Sequence, residues 1–448
     1  MSSPLDVSYG SYSPPPTHLN SPTNSHTQNT SSVVESPFTY SALPCLYLLG
    51  CRRAGKSSIK RVVFQKTPPH ETLFLESTHQ VRVRQICTSK LLQLTLLDFP
   101  GNFDPTSPQT IDPPSLFQNR NGAVIFVIDA QDDENNYADS IEYLMSLMKY
   151  LVPLNPLLTY HVLIHKIDGD ATGGQSSKYT FNSEADANRL ECELEIKKMV
   201  YDELNALSNI ISTSIRPSFY MTSIYDHTLF DAFSKIVQSS CIPQLSALEN
   251  LLDSLLNICS LEKCLLFDIL SRLYVATDSN PLDIQTYRLC DEMIDITTDV
   301  QQIYGTHNTF LSHPNDTSPH HYAENSSIDQ SSLIRQPSLL DSVSYDESTT
   351  SVIRLSNNYV LYFRCLTPHL ALVCLLRSES FDNNNMFEYN FVEFQRGFER
   401  ILKVVEKSRQ DDYEAKQRKI LIKQQQQSQQ PQRKVSTPNR TDSARRKA

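Results

Sequence analysis

The segment Gly50-Cys51-Arg52-Arg53-Ala54-Gly55-Lys56-Ser57 sets two glycines at the spacing of a phosphate-binding loop, in a chain of 448 residues that has only ten glycines. A short apolar run, Cys45 to Leu49, precedes it, and a mixed, helix-like stretch begins near Ser57. That strand, loop and helix order is the setting in which the spacing has a mechanism. Backbone amides of Arg53, Ala54 and Gly55, with those of Lys56, Ser57 and Ser58 at the helix start, would cradle a phosphate. Lys56 would bridge the β- and γ-phosphates, and the Ser57 hydroxyl would ligate Mg²⁺.

Asp98-Phe99-Pro100-Gly101 follows the strand-like run Leu91 to Leu97. There a carboxylate at the strand end can hold Mg²⁺ through water, and the Gly101 amide can meet a γ-phosphate. These motifs do not separate GTPases from ATPases and kinases, which use the same cradle. His165-Lys166-Ile167-Asp168, after the run His161 to Ile164, is the discriminating one. It has the form of the guanine-reading Asn-Lys-x-Asp motif with His in first place. The Asp168 carboxylate can accept hydrogen bonds from guanine N1 and N2, for which adenine has no matching donors. Lys166 would lie along the base plane. Thr222-Ser223-Ile224 closes the series where a backbone amide of Ser223 or Ile224 would face guanine O6.

Elements that position these residues can be read from the hydrophobic pattern. Further short apolar runs occur at Ala123 to Ile128 and Phe219 to Thr222, with amphipathic stretches Ser140 to Tyr150 and Glu184 to Leu207 between strands. Such alternation predicts an α/β domain: a mostly parallel sheet with helices on both faces, over 44–240. Beyond it, helical runs at Ile242 to Cys259 and Pro281 to Tyr304 and a last helix over Met386 to Lys407 alternate with strand-like runs from Lys263 to Ala276 and from Ser351 to Arg377. That order predicts an α+β domain with an antiparallel sheet over 241–407. The Ser/Pro-rich segment 1–43, the polar stretch 307–350 and the Gln/Lys/Arg-rich segment 408–448 read as disordered.

A formal charge of −10 argues against nucleic acid as a partner. Ten cysteines without a CxxC pair suit reduced thiols in the cytosol. Met1 to Tyr40 lacks the pattern of a secretory signal, Ser2 stands where myristoylation needs glycine, and no apolar run approaches the roughly 20 residues of a spanning helix. Membrane residence is therefore expected through partners, without direct insertion.

The motifs together resemble the Rag GTPases, called Gtr proteins in fungi, of the C/D subclass. The resemblance is carried by Gly50 to Ser58, Glu71 to Thr78, Asp98 to Gly101, Val127 to Asp133, His165 to Gly169 and Thr222 to His227. It implies a P-loop GTPase that binds GTP, GDP and Mg²⁺. Thr78 would be the switch threonine that joins Ser57 and Asp98 around the metal, and Thr72 would lie earlier in the same loop near the nucleotide. It also implies a roadblock-type second domain and a heterodimer with a Rag A/B-type GTPase. That dimer would be regulated by a GTPase-activating protein and docked on a membrane-anchored scaffold of the Ragulator or EGO kind. There it would signal amino-acid sufficiency to TORC1 at the lysosome or vacuole, with the nucleus as a further location.

Two departures bear on hydrolysis. Asn102 stands where the family has a water-orienting Gln, one methylene longer, so intrinsic catalysis is expected to be slow. Four prolines between Asp104 and Pro114 would break the usual switch helix. A non-hydrolysing, nucleotide-loaded scaffold is the alternative expectation.

Overall fold

The computed structural model describes residues 43–105, 116–118, 121–132, 134–168, 186–207, 215–304, 349–381 and 384–428. The expected tail at 1–43 therefore falls almost wholly outside the described residues. The insertion 307–350, the connection 170–182 and most of the proline-rich stretch do so as well.

The first sheet contains β1 (Cys45–Gly50), β2 (Arg82–Cys87), β3 (Gln93–Asp98), β4 (Gly122–Asp129), β5 (Thr159–His165) and β6 (Ser218–Thr222), in the order β2-β3-β1-β4-β5-β6. All neighbours run parallel except β2, which pairs antiparallel with β3. β1 and β4 are buried along their whole length, as strands covered on both faces must be. The apolar runs marked these central strands well. β2 carried no such run, because an edge strand needs only one buried side chain here, Ile86, and exposes Arg82 and Arg84.

The helices around this sheet are α1 (Lys56–Gln65), α2 (Glu134–Leu154), α3 (Asp186–Ala206) and α4 (Thr228–Cys241). The last was not singled out in the sequence. α4 packs on β6 and also on the second sheet, which is why one apolar cluster includes Leu46 and Val63, then Phe233 and Ile236, then Leu266 and Phe391.

After α5 (Leu245–Cys259) come β7 (Leu261–Asp268), β8 (Leu273–Thr277), α6 (Ile284–Tyr304), β9 (Thr350–Arg354), β10 (Tyr359–Thr367), β11 (Leu370–Arg377), the short α7 (Ser378–Phe381) and α8 (Asn384–Ser428). The strands form an antiparallel sheet ordered β8-β7-β11-β10-β9. Alternate residues of β7 serve opposite faces: Cys264 and Leu266 join the cluster with α5 and α8, while Leu265 and Phe267 join Tyr287 and Met293 of α6. This is the expected α+β pattern.

α8 continues to Ser428, where a disordered segment was expected from 408. Gln, Lys, Arg and Glu have good intrinsic helix propensity, neither Gly nor Pro interrupts them before Pro431, and pairs such as Glu414 with Arg418 add support at i,i+4. Composition that reads as disorder by its polarity is here compatible with a solvated helix.

Polar contacts tie the two sheets together beside the shared core. Lys66, just past α1, donates to the Ser271 carbonyl at 2.5 Å. Thr88, between β2 and β3, donates to Asp268 at 2.8 Å, and Arg409 of α8 donates to the Leu91 carbonyl at 2.9 Å.

Candidate functional site

The phosphate loop follows from β1 running into α1 without a side-chain cap. Gly55 is the N-cap residue at φ +100°, no side chain caps the helix, and the first turn holds no acidic residue. Amides at such a helix start have no partner within the helix and carry the positive end of its dipole, so they are suited to an anion. Gly55 cannot be replaced cheaply: its φ disfavours L side chains, and an added Cβ would lie 2.7 Å from the ring of His165. Gly101 is constrained by a close approach, since a Cβ there would meet the Arg52 backbone nitrogen at 2.5 Å.

These elements enclose a cavity of about 660 Å³, a volume suited to a small molecule or cofactor. Its lining includes Arg53, Gly55, Lys56, Ser57, Ser58, Thr72, Thr78, Gly101, His165, Lys166, Asp168 and Ile224. Most residues expected at the site are therefore brought to one place, although they come from segments separated by more than a hundred residues of chain. Ala54 and Asp98 are buried behind this wall. Asn102 is exposed and is not part of it.

At one end, Lys56 folds over the loop and donates to the carbonyls of Gly50 at 2.8 Å and Cys51 at 2.6 Å. Burial pushes its ammonium down to about 8, against the opposing pull of Asp98. The hydroxyls of Ser57 and Thr78 are 2.9 Å apart, and Ser57 donates to Asp98 Oδ2 at 3.3 Å. Asp98 Oδ1 is buried without a hydrogen-bond partner. Two hydroxyls and a carboxylate with an orphaned oxygen are hard donors that fit Mg²⁺. No group of three His, Cys, Asp or Glu side chains converges among the described residues, so a magnesium ion here would need phosphate oxygens to complete its shell.

One participant was not foreseen. Lys60, on the next turn of α1, lies 2.5 Å from Asp98 Oδ2 in a buried ion pair. The signal was its i,i+4 relation to Lys56, which puts both lysines on one helix face.

At the other end, β4 and β5 place Asp129 beside His165 in register. Asp129 pairs with the Lys166 ammonium and accepts from the Gln131 amide at 3.0 Å, and Gln131 Nε2 donates to the Lys166 carbonyl at 3.0 Å. Lys166 has φ +67°, and this bracing offsets the cost of that conformation. Asp129 and Gln131 were quoted in the sequence only as a family run. The same strand-end logic that singled out Asp98 applies to Asp129.

His165 is buried, with Nδ1 3.0 Å from the Thr222 hydroxyl. Burial, with the nearby Lys166 charge, pushes its imidazole down to about 3, so it is neutral. Asp168 borders the cavity as an exposed residue. Partial burial raises its carboxyl above the usual range, and a hydrogen bond from the Ser223 side chain opposes that shift. Ser223 itself is fully buried and its amide donates to Thr228 Oγ1 at 3.1 Å, so of the two residues expected to face guanine O6 it is Ile224 that lines the cavity. Tyr225, exposed beside it, was not assigned a role in the sequence.

Comparison with known proteins agrees with this geometry. The family model described as the Gtr1/RagA G protein conserved region matches residues 45–294. The chain is 37% identical over 364 residues to Ras-related GTP-binding protein C of Homo sapiens, covering 81% of this chain and 78% of that protein. It is 37% identical to Ras-related GTP-binding protein D of Mus musculus, covering 82% and 70%. To GTP-binding protein gtr2 of Schizosaccharomyces pombe it is 38% identical, covering 77% and 93%. A glycine-bearing loop at the head of α1, a strand-end aspartate beneath it and Asp168 on the same cavity, joined to these matches, make this chain a member of the Rag/Gtr family of GTP-binding proteins, of the C/D and gtr2 kind.

Proposed function

We propose that the protein is a slow GTPase switch that works as one half of a heterodimer with a Rag A/B-type subunit. Its output would be amino-acid sufficiency signalling to TORC1 components at the lysosomal or vacuolar surface. The observation that carries the reading is the meeting, on one cavity, of the Gly55 to Ser58 helix start, the Ser57 and Thr78 hydroxyls backed by buried Asp98, and the Asp168 carboxylate. The first holds phosphates, the second suits Mg²⁺ and the third selects guanine.

Bound there, Mg²⁺ would neutralise charge on the β- and γ-phosphates during hydrolysis. The chain's own contribution is positional. Lys56 exchanges its loop carbonyls for phosphate oxygens, and the Gly101 backbone lies against the phosphate loop, where the γ-phosphate would be read. Asn102, exposed and outside the lining, is poorly placed to orient a water, which favours slow turnover and keeps a non-hydrolysing scaffold as the second reading.

Two features support docking through partners. The side chains of Ile296, Val300 and Ile303 form an exposed stripe on α6, at helical spacing. β9 is the last strand in its sheet order. Among the described residues, no helix is long and apolar enough to cross a membrane. We take the second domain, 241–407, as the roadblock-type pairing module.

Chromatography of nucleotide released from the purified protein, with GDP and ADP in competition, tests base choice. Guanine nucleotide is expected, displaced by GDP and not by ADP; a protein that takes up neither GDP nor GTP overturns the assignment. Single-turnover phosphate release separates switch from scaffold, because a GTPase-activating protein should accelerate it only in the switch.

A further inference from the structure

The buried pair Lys60–Asp98 is not needed to hold a phosphate, and a lysine is removed from water only where a partner compensates. Lys60 stands four residues after Lys56 and three after Ser57, so α1 turns all three toward the end of β3. Lys56 and Ser57 line the cavity, whereas Lys60 lies beneath it and touches Asp98 through Oδ2, at 2.5 Å. The second carboxylate oxygen, Oδ1, is buried with no hydrogen-bond partner, while the Ser57 hydroxyl, 2.9 Å from that of Thr78, donates to Oδ2 at 3.3 Å. Asp98 thus has one oxygen satisfied by a fixed cation and one still able to accept.

We propose that Lys60 is a resident countercharge for the metal-facing carboxylate. It holds Asp98 by Oδ2, the oxygen that also accepts from the Ser57 hydroxyl, leaves Oδ1 able to accept, and weakens the attraction of this carboxylate for Mg²⁺ by neutralising its charge. Lys60 is a positioning residue, since it acts through Asp98. The inference rests on the guanine-nucleotide reading above and adds to it a raised magnesium requirement for nucleotide retention, set by Lys60. Removing a positive charge a few ångströms from a divalent ion, at the effective dielectric of a protein interior, is enough to change its affinity by about ten-fold or more.

The test follows release of a fluorescent GDP analogue from the full-length protein as free Mg²⁺ is lowered, for the wild type and for Lys60→Gln, Lys60→Met and Lys60→Arg. Lys60→Gln should retain GDP at about ten-fold lower free Mg²⁺ than the wild type, because it can still donate to Oδ2 but carries no charge. Lys60→Arg, which keeps the charge, should follow the wild type. Lys60→Met keeps the apolar stem and gives the same reading as Gln if the Gln variant does not fold. Thermal melting in EDTA, run in parallel, reports the structural cost, which a merely structural lysine would show without any change in magnesium dependence. GDP bound by every variant at an unchanged or higher magnesium requirement overturns the proposal. A wild-type protein that takes up no guanine nucleotide overturns instead the reading on which it rests.

Discussion

The two ends of the cavity are built on different physics. The phosphate end relies on backbone amides, a helix start and fixed charges: Gly55, Lys56, the Lys60–Asp98 pair. The base end relies on neutral or partly exposed groups whose hydrogen-bonding direction matters: His165, uncharged and turned to Thr222, and Asp168, exposed at the rim. On the proposed reading the first would hold any polyphosphate, and the second would decide which base comes with it. The ends meet physically, because the His165 ring packs against Gly55.

Damage at either end should therefore have different signatures. Lys56→Ala should have the largest effect, about 100-fold or more in GDP and GTP affinity by fluorescence titration, because a charged hydrogen-bonding group in a buried site is lost. Loss of guanine preference without loss of affinity in that variant would break the division of labour. Asp168→Asn should reduce the preference for GDP over ADP by about ten- to 100-fold in competition, with a smaller change in polyphosphate binding, as one mismatched pair of buried polar groups costs about 1–3 kcal/mol.

Gly55→Ala probes the contact between the ends. It should cost about 1–3 kcal/mol in denaturant unfolding from its positive φ alone. His165→Ala in the same chain should recover the part due to the ring and leave the part due to φ. The smallest effect concerns protons. The folded His165 pKa is depressed to about 3 from an ordinary 6.5, so the unfolded chain binds more protons between those values. Stability is then fully present above pH 6.5 and is lost as pH falls toward 3. His165→Asn should lower the slope of stability against pH in that window by about one proton, while buried His161, depressed to about 4, keeps a similar contribution.

Much of this was legible in the sequence because it depends on local pattern. Buried parallel strands must be apolar along their length, so β1, β3, β4 and β5 stood out, and motifs at their ends marked the phosphate loop, Asp98 and Asp168. β2 was missed because one buried side chain at a sheet edge leaves no apolar run. Lys60 was missed because a lysine on an amphipathic helix ordinarily faces water, and only the approach of β3 to α1 turns it inward. Asn102 matched a motif position but not a location, since the backbone after Gly101 carries it to the surface. Pattern finds residues whose role is set by their neighbours in the chain, and it fails for those whose role is set by another element.

The apolar cluster that passes from β1 through α4 to α8 has a consequence for cooperativity. Leu248, Phe391 and Ile236 belong to one apolar cluster that includes both sheets, so parting the two halves would expose apolar surface on each. The protein should therefore lose both sheets in a single transition, and the energetic unit of this chain is larger than either of the domains into which its sequence divides.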